Sequence, residues 1–164
     1  MEQLNFEIVS IEKNPDIQLI LGHAVFIKTI EDLYEVMVNT VPNSKFGIAF
    51  AEASGKCLVR SEGNDKELIE NAERNLLKIG AGHTFLVLFT GAYPINVLNA
   101  IKSVNEVSRI YCATSNQVQV ILARTEQGKA VLGVVDGSAP KGIEGKRERA
   151  ERKKLVRDLG YKLR

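Results

Sequence analysis

The sequence has no tryptophan, two cysteines and two histidines among its 164 residues. It also has no run of about 18 apolar residues of the kind a membrane-crossing helix needs. Cys57 and Cys112 are too few and too far apart for a disulfide framework or a thiolate zinc site. Both sit in apolar, strand-like runs and read as buried free thiols. With 6 Phe, 4 Tyr and no Trp, there is little material for an aromatic platform on which nucleic-acid bases stack. The 22 basic and 20 acidic residues give a net charge of +2. That balance argues against nucleic acid or an anionic membrane as the main partner. No Gly-rich phosphate loop, dinucleotide fingerprint, nucleophile elbow or HExxH helix occurs. The opening MEQLNFEIVS lacks the basic-then-apolar order of a secretion signal, so a cytoplasmic protein is expected.

What is present is a continuous succession of apolar segments. Residues 4–11 alternate as a half-buried strand does, 17–21 form a second strand, and Ile30, Leu33, Tyr34, Met37 and Val41 predict a helix over 30–41. Residues 46–53 suit a strand buried on both faces, with 56–60 returning beside it. Asn64 or Asp65 caps a helix over 65–79 that Gly80 ends. Strand 83–89, helix 94–103, and strands 107–113, 117–124 and 129–135 follow. The expected fold is a single α/β (mixed α+β) domain: a largely antiparallel sheet with packed helices, its core spanning about 4–137. The remaining 138–164 read as a loop and a charged helix over 146–159. That helix is either a solvated face laced by i,i+4 pairs or a basic arm toward phosphate or RNA.

Four segments carry candidate chemistry. His83 follows Gly80-Ala81-Gly82, where glycine permits close approach of backbone or ligand. An imidazole there serves as base, nucleophile or plain structural histidine. A metal is the weakest of these options, since only His23 is available to join it. In Phe50–Gly55, Glu52 interrupts an apolar strand and Ser54 opens the turn. Glu52 is either an end-of-strand carboxylate in water or one that needs a partner such as Arg60. Asn96 and Asn99 lie three apart on a helix, as purine-reading amides or as caps. Asp136, ahead of Gly137, marks a turn or a site edge.

GAGHTF at 80–85, FGIAFAEASG at 46–55, YPINVLNAIK at 93–102, TEQGKAVLGVVDG at 125–137 and LGYKL at 159–163 occur in one order. Together they resemble the adenosine-specific kinase family over about residues 5–163. That resemblance implies a domain that binds adenosine and AMP and a histidine that carries a phosphoryl group. The GAGHTF motif places that histidine at His83. The family often has a histidine just ahead of FIKT, where this chain has Val25, with His23 two residues earlier. On this reading His83 attacks phosphorus and adenosine accepts the group. Lys28 and Arg60 are the candidate cations, and the Gly80–Gly82 amides a nest for anion oxygens. Glu52 or Asp136 would orient the ring or take the hydroxyl proton. No cofactor is implied, and ATP with Mg²⁺ stands as the candidate phosphoryl donor. The alternative is a non-catalytic adenine-nucleotide sensor using the same pocket. His83 follows the negative end of helix 65–79, and the N-terminus of helix 94–103 lies a strand away, ~20 Å at about 3.3 Å per residue. Compensating charge from local cations or a neighbouring subunit is therefore expected, the latter in a homo-oligomer for which a trimer is the candidate state.

Overall fold

Residues 4–163 are described by the structure, a computed structural model. Among these residues the predicted apolar runs become eight strands and four helices. They are β1 (Asn5–Ser10), β2 (Gln18–Ala24), α1 (Thr29–Thr40), β3 (Lys45–Ala51), β4 (Val59–Gly63) and α2 (Lys66–Ile79). These are followed by β5 (Thr84–Thr90), α3 (Pro94–Lys102), β6 (Val107–Thr114), β7 (Val118–Arg124), β8 (Lys129–Asp136) and α4 (Lys146–Asp158).

The strands form two sheets rather than one. Five pair in the order β4-β3-β5-β2-β6 and three in the order β1-β7-β8, every pairing antiparallel. Strand alternation sends Phe46, Ile48, Phe50, Phe85, Val87 and Phe89 to one face of the larger sheet, where α1 and α3 cover them through Leu33, Met37, Val97 and Ile101. Leu19, Leu21, Ala49, Leu86 and Leu88 point the other way. There α2 and the inner face of the small sheet lie side by side over them, through Leu68, Ala72 and Leu76 and through Val118, Val120 and Leu122. Each of these fully buried large side chains contributes about 1.5–3 kcal/mol.

Two sequence expectations shift. β4 begins at Val59 rather than at residue 56, because Ser54–Cys57 form a turn closed by the Cys57 N–H to Ser54 carbonyl bond. Cys57 is exposed rather than buried and adopts φ 51, a left-handed conformation. A β-carbon costs about 1–2 kcal/mol there. Cys57→Gly should therefore raise stability by about 0.5–1 kcal/mol after the extra chain entropy of glycine, ~1–4 °C in a thermal melt. Cys112 is buried as expected, and burial, with Asp136 adding, pushes its thiol up to about 12.

The charged C-terminal helix is present as α4, and none of its side chains is buried. Arg147–Glu151 and Lys154–Asp158 are i,i+4 ion pairs along it, and Arg152 reaches Glu144 at 2.7 Å. These are the contacts of a solvated helix.

Candidate functional site

The site lies where the C-terminal end of β2, the N-terminal end of β5 and the start of β8 converge. α2 ends in the left-handed Gly80 (φ 64), whose N–H bonds the Leu76 carbonyl. The chain then turns through Ala81 and Gly82 into His83, itself at φ 62. This conformation is uncommon for a residue with a side chain, and such positions concentrate at functional sites. His83 is pinned by its backbone on both sides: its N–H donates to the Ala51 carbonyl at 2.8 Å, and its carbonyl accepts from Ala24 N–H at 2.9 Å. The half-buried ring stacks on Phe50 with centroids 6.0 Å apart and meets the edge of His23 at 5.6 Å. Neither ring nitrogen of His83 has a hydrogen-bond partner among the described residues.

His23 arrives there because β2 is irregular. Its pairing with β6 slips between Leu21 and Gly22 and again between His23 and Ala24, setting His23 opposite Arg109. Register breaks of this kind re-aim side chains. His23 Nδ1 lies 2.6 Å from Ser108 Oγ, and Ser108 donates to the His23 carbonyl at 3.1 Å. Burial holds the His23 imidazole below its usual value, with His83 and Arg109 adding to the effect. Both effects favour the neutral ring.

Two cavities adjoin at this corner, and both are lined by Ala81, Gly82, Lys129 and Ala130. The larger, about 630 Å³, lies between the end of α2 and the β7–β8 hairpin and is also walled by Glu52, Leu58 and Leu77. The smaller, about 390 Å³, opens between the two sheets, where His23, Thr84, Ser108, Arg109 and Tyr111 line it. Both volumes are in the range of small-molecule sites, roughly 300–1,000 Å³. His83 lines neither wall; its neighbours His23 and Gly82 do. Thr84 is buried, and its hydroxyl has no partner among the described residues.

The sequence candidates divide. Gly82 and Glu52 join His83 at this corner. The Glu52 carboxylate accepts from Leu58 N–H at 3.0 Å and from Arg60 at 2.8 Å. Those two bonds, that from Leu58 foremost, hold it below the usual carboxylate range. Arg60 is thus neutralised by Glu52. Lys28, at the start of α1, is bound to Asp32 at 2.5 Å and to the buried Glu106 at 3.0 Å, outside both cavities. Ser54 sits exposed in its turn. The Asn96 side chain caps α3 by accepting from Tyr93 N–H at 2.8 Å, and Asn99 is exposed on the same helix. Neither amide lines the two cavities. Asp136 accepts from Asn116 at the far end of β8 from Lys129, ~23 Å along the strand.

Residues that the sequence reading did not single out complete the corner: Ser108, Arg109, Tyr111 and Lys129. Arg109 makes no ion pair among the described residues, whereas Lys129 holds Glu7 at 2.6 Å. Arg109 is therefore a cation free for an anionic ligand. The dipole difficulty also eases. β2 runs antiparallel to β5, so α1, which follows β2, begins at the same end of the sheet as His83. A helix N-terminus favours negative charge nearby.

A family model described as adenosine specific kinase matches residues 9–162. The crystal structure of the PH1918 protein from Pyrococcus horikoshii OT3 superposes with a TM-score of 0.94 at 47% identity, covering 99% of this chain and 100% of that one. No curated protein matches the chain.

Proposed function

The chain belongs to the adenosine-specific kinase family, and on that premise we propose that it binds adenosine or AMP in the adjoining cavities and passes a phosphoryl group through a phosphohistidine at His83. The observation that carries this reading is the pair of imidazoles 5.6 Å apart at the corner where the cavities meet. A histidine whose ring nitrogens are not engaged is available as a nucleophile. Phosphoryl transfer asks the protein mainly for positioning and for positive charge around the equatorial oxygens. Arg109 supplies that charge from the larger sheet, while Lys129, from the small sheet, is paired with Glu7. The amides of Ala81 and Gly82 make no backbone hydrogen bond among the described residues and can serve as donors. The larger cavity, with apolar walls from Leu58 and Leu77 and one carboxylate, Glu52, suits a nucleoside. ATP is the candidate donor for loading His83. The exposed apolar outer face of the small sheet, formed by Phe6, Ile8, Leu132 and Val135, supports a homo-oligomer, with a trimer as its candidate state.

The pocket assignment is tested by thermal melts with adenosine. At a hundredfold excess over Kd the parent should gain about 2.7 kcal/mol, ~5–10 °C. Leu77 lines the larger cavity and is exposed on α2. Leu77→Asp should leave the ligand-free melt near the parent's and remove the adenosine shift. An unchanged shift in that variant would place the nucleoside elsewhere.

A further inference from the structure

The two imidazoles of the corner are held differently. The His83 ring has no hydrogen-bond partner among the described residues, whereas the His23 ring is fixed by Ser108. A serine hydroxyl carries one proton. The Ser108 oxygen lies 3.1 Å from the His23 carbonyl oxygen, which only accepts, so that proton is directed there. With the hydroxyl proton on that carbonyl, the 2.6 Å contact has Nδ1–H as donor and Oγ as acceptor. A neutral imidazole protonated on Nδ1 keeps its lone pair on Nε2. The titratable and charged groups around the small cavity are His83 beside it, Arg109 and Tyr111 from β6, and Lys129 from β8 with its partner Glu7 from β1; no carboxylate is among the lining residues. The unpaired Arg109 favours an anion there, and no lining carboxylate competes for the His23 lone pair.

We propose that His23 is the general base of phosphoryl transfer, accepting the nucleoside hydroxyl proton on Nε2 while Ser108 acts as the positioning residue that fixes its tautomer. This rests on the reading of His83 as the phosphoryl carrier, loaded by a nucleoside triphosphate. In the transfer step the P–N bond of phospho-His83 breaks and its electron pair returns to that nitrogen, the other ring nitrogen carrying a proton. The 5′-oxygen of adenosine forms the new bond to phosphorus. Its hydroxyl proton moves to His23 Nε2, and the resulting imidazolium gives it up to water.

The experiment separates loading from transfer. The parent, His23→Asn, Ser108→Ala and Ser108→Thr are loaded with γ-labelled ATP, freed of nucleotide, and mixed with adenosine while label is followed into AMP. Asparagine keeps a donor near the Nδ1 position and lacks Nε2, so His23→Asn should load to the parent's extent and transfer roughly 10²–10⁴-fold more slowly. The acidic limb of the parent's transfer-rate profile should vanish in it. Ser108 is exposed, so its variants should fold; alanine should slow transfer and threonine, which keeps the hydroxyl, should restore it. Transfer at the parent's rate by His23→Asn, or a retained acidic limb, overturns the assignment. So does label that disappears in His23→Asn and persists in a His83 variant, which would exchange the roles. A parent that takes no label at all overturns the phosphohistidine reading itself.

Discussion

Replacing His83 by asparagine should reduce acid-labile, base-stable labelling from γ-labelled ATP to background while leaving the fold intact. The choice of asparagine follows from the backbone. At φ 62 an alanine would keep the left-handed cost of about 1–2 kcal/mol that a β-carbon carries there, whereas asparagine tolerates this region better. The bonds from His83 N–H to Ala51 and from Ala24 N–H to His83 involve only main-chain atoms and survive the change. What is lost is the ring lying over Phe50, so the melt should move by no more than about 1 kcal/mol, within the usual range for single substitutions. Adenosine should still stabilise the variant, because His83 does not line either cavity wall. Labelling equal to the parent's would remove His83 from the chemistry and leave a nucleotide-binding corner without a carrier.

The largest loss of stability is expected for Gly47→Ala. An alanine β-carbon at position 47 would lie 2.3 Å from the Leu68 carbonyl carbon and the Ile69 nitrogen. These are main-chain atoms of the first turns of α2, so no rotamer change relieves the overlap. The start of α2 is also stitched to β3: Asn64 and Asp65 N–H groups both reach the Phe46 carbonyl, and Asn64 Oδ1 accepts from Phe46 N–H at 2.8 Å. The helix must lift, pulling Leu68, Ala72 and Leu76 away from Ala49, Leu86 and Leu88. Overpacking against backbone should cost about 3 kcal/mol or more, a large share of a total stability near 5–15 kcal/mol. The melt should fall by at least ~6–12 °C. Gly133→Ala is the control: no atom lies within 4 Å of its would-be β-carbon, and its effect should stay within about 0.5 kcal/mol. Equal melts for the two variants would show that α2 yields at Gly47 at no cost.

Much of the fold was legible because its signals are local. The helical stripe of Leu68, Ala72 and Leu76, the Asp65 cap and Gly80 at the end of α2 are all readable from side-chain type and spacing. The pairing of Glu52 with Arg60 was legible for the same reason, eight residues apart across one hairpin. The division into two sheets was not, because strand alternation says which face is buried and nothing about which strand lies beside it. The site suffered most from this. His23 and Arg109 are brought opposite each other by register slips in β2, and no local pattern encodes a pairing over that separation. The Gly22-His23 interruption after IQLIL was the available signal. Lys28 and Arg60 were sensible cations by composition, yet the fold supplies each with carboxylates, which only tertiary structure reveals.

Asn5 stands opposite Arg124 in the β1–β7 pair, and this separation governs how the molecule is made. On the ribosome the first strand emerges early and has no neighbour until most of the chain has been translated. The larger sheet, complete once β6 has emerged, can assemble beforehand, and long-range pairings of this kind close late. Lys129 and Ala130 belong to the last strand to be synthesised. A nascent chain lacking it already presents both histidines without the β8 wall of the two cavities, so this corner closes only after the larger sheet is complete.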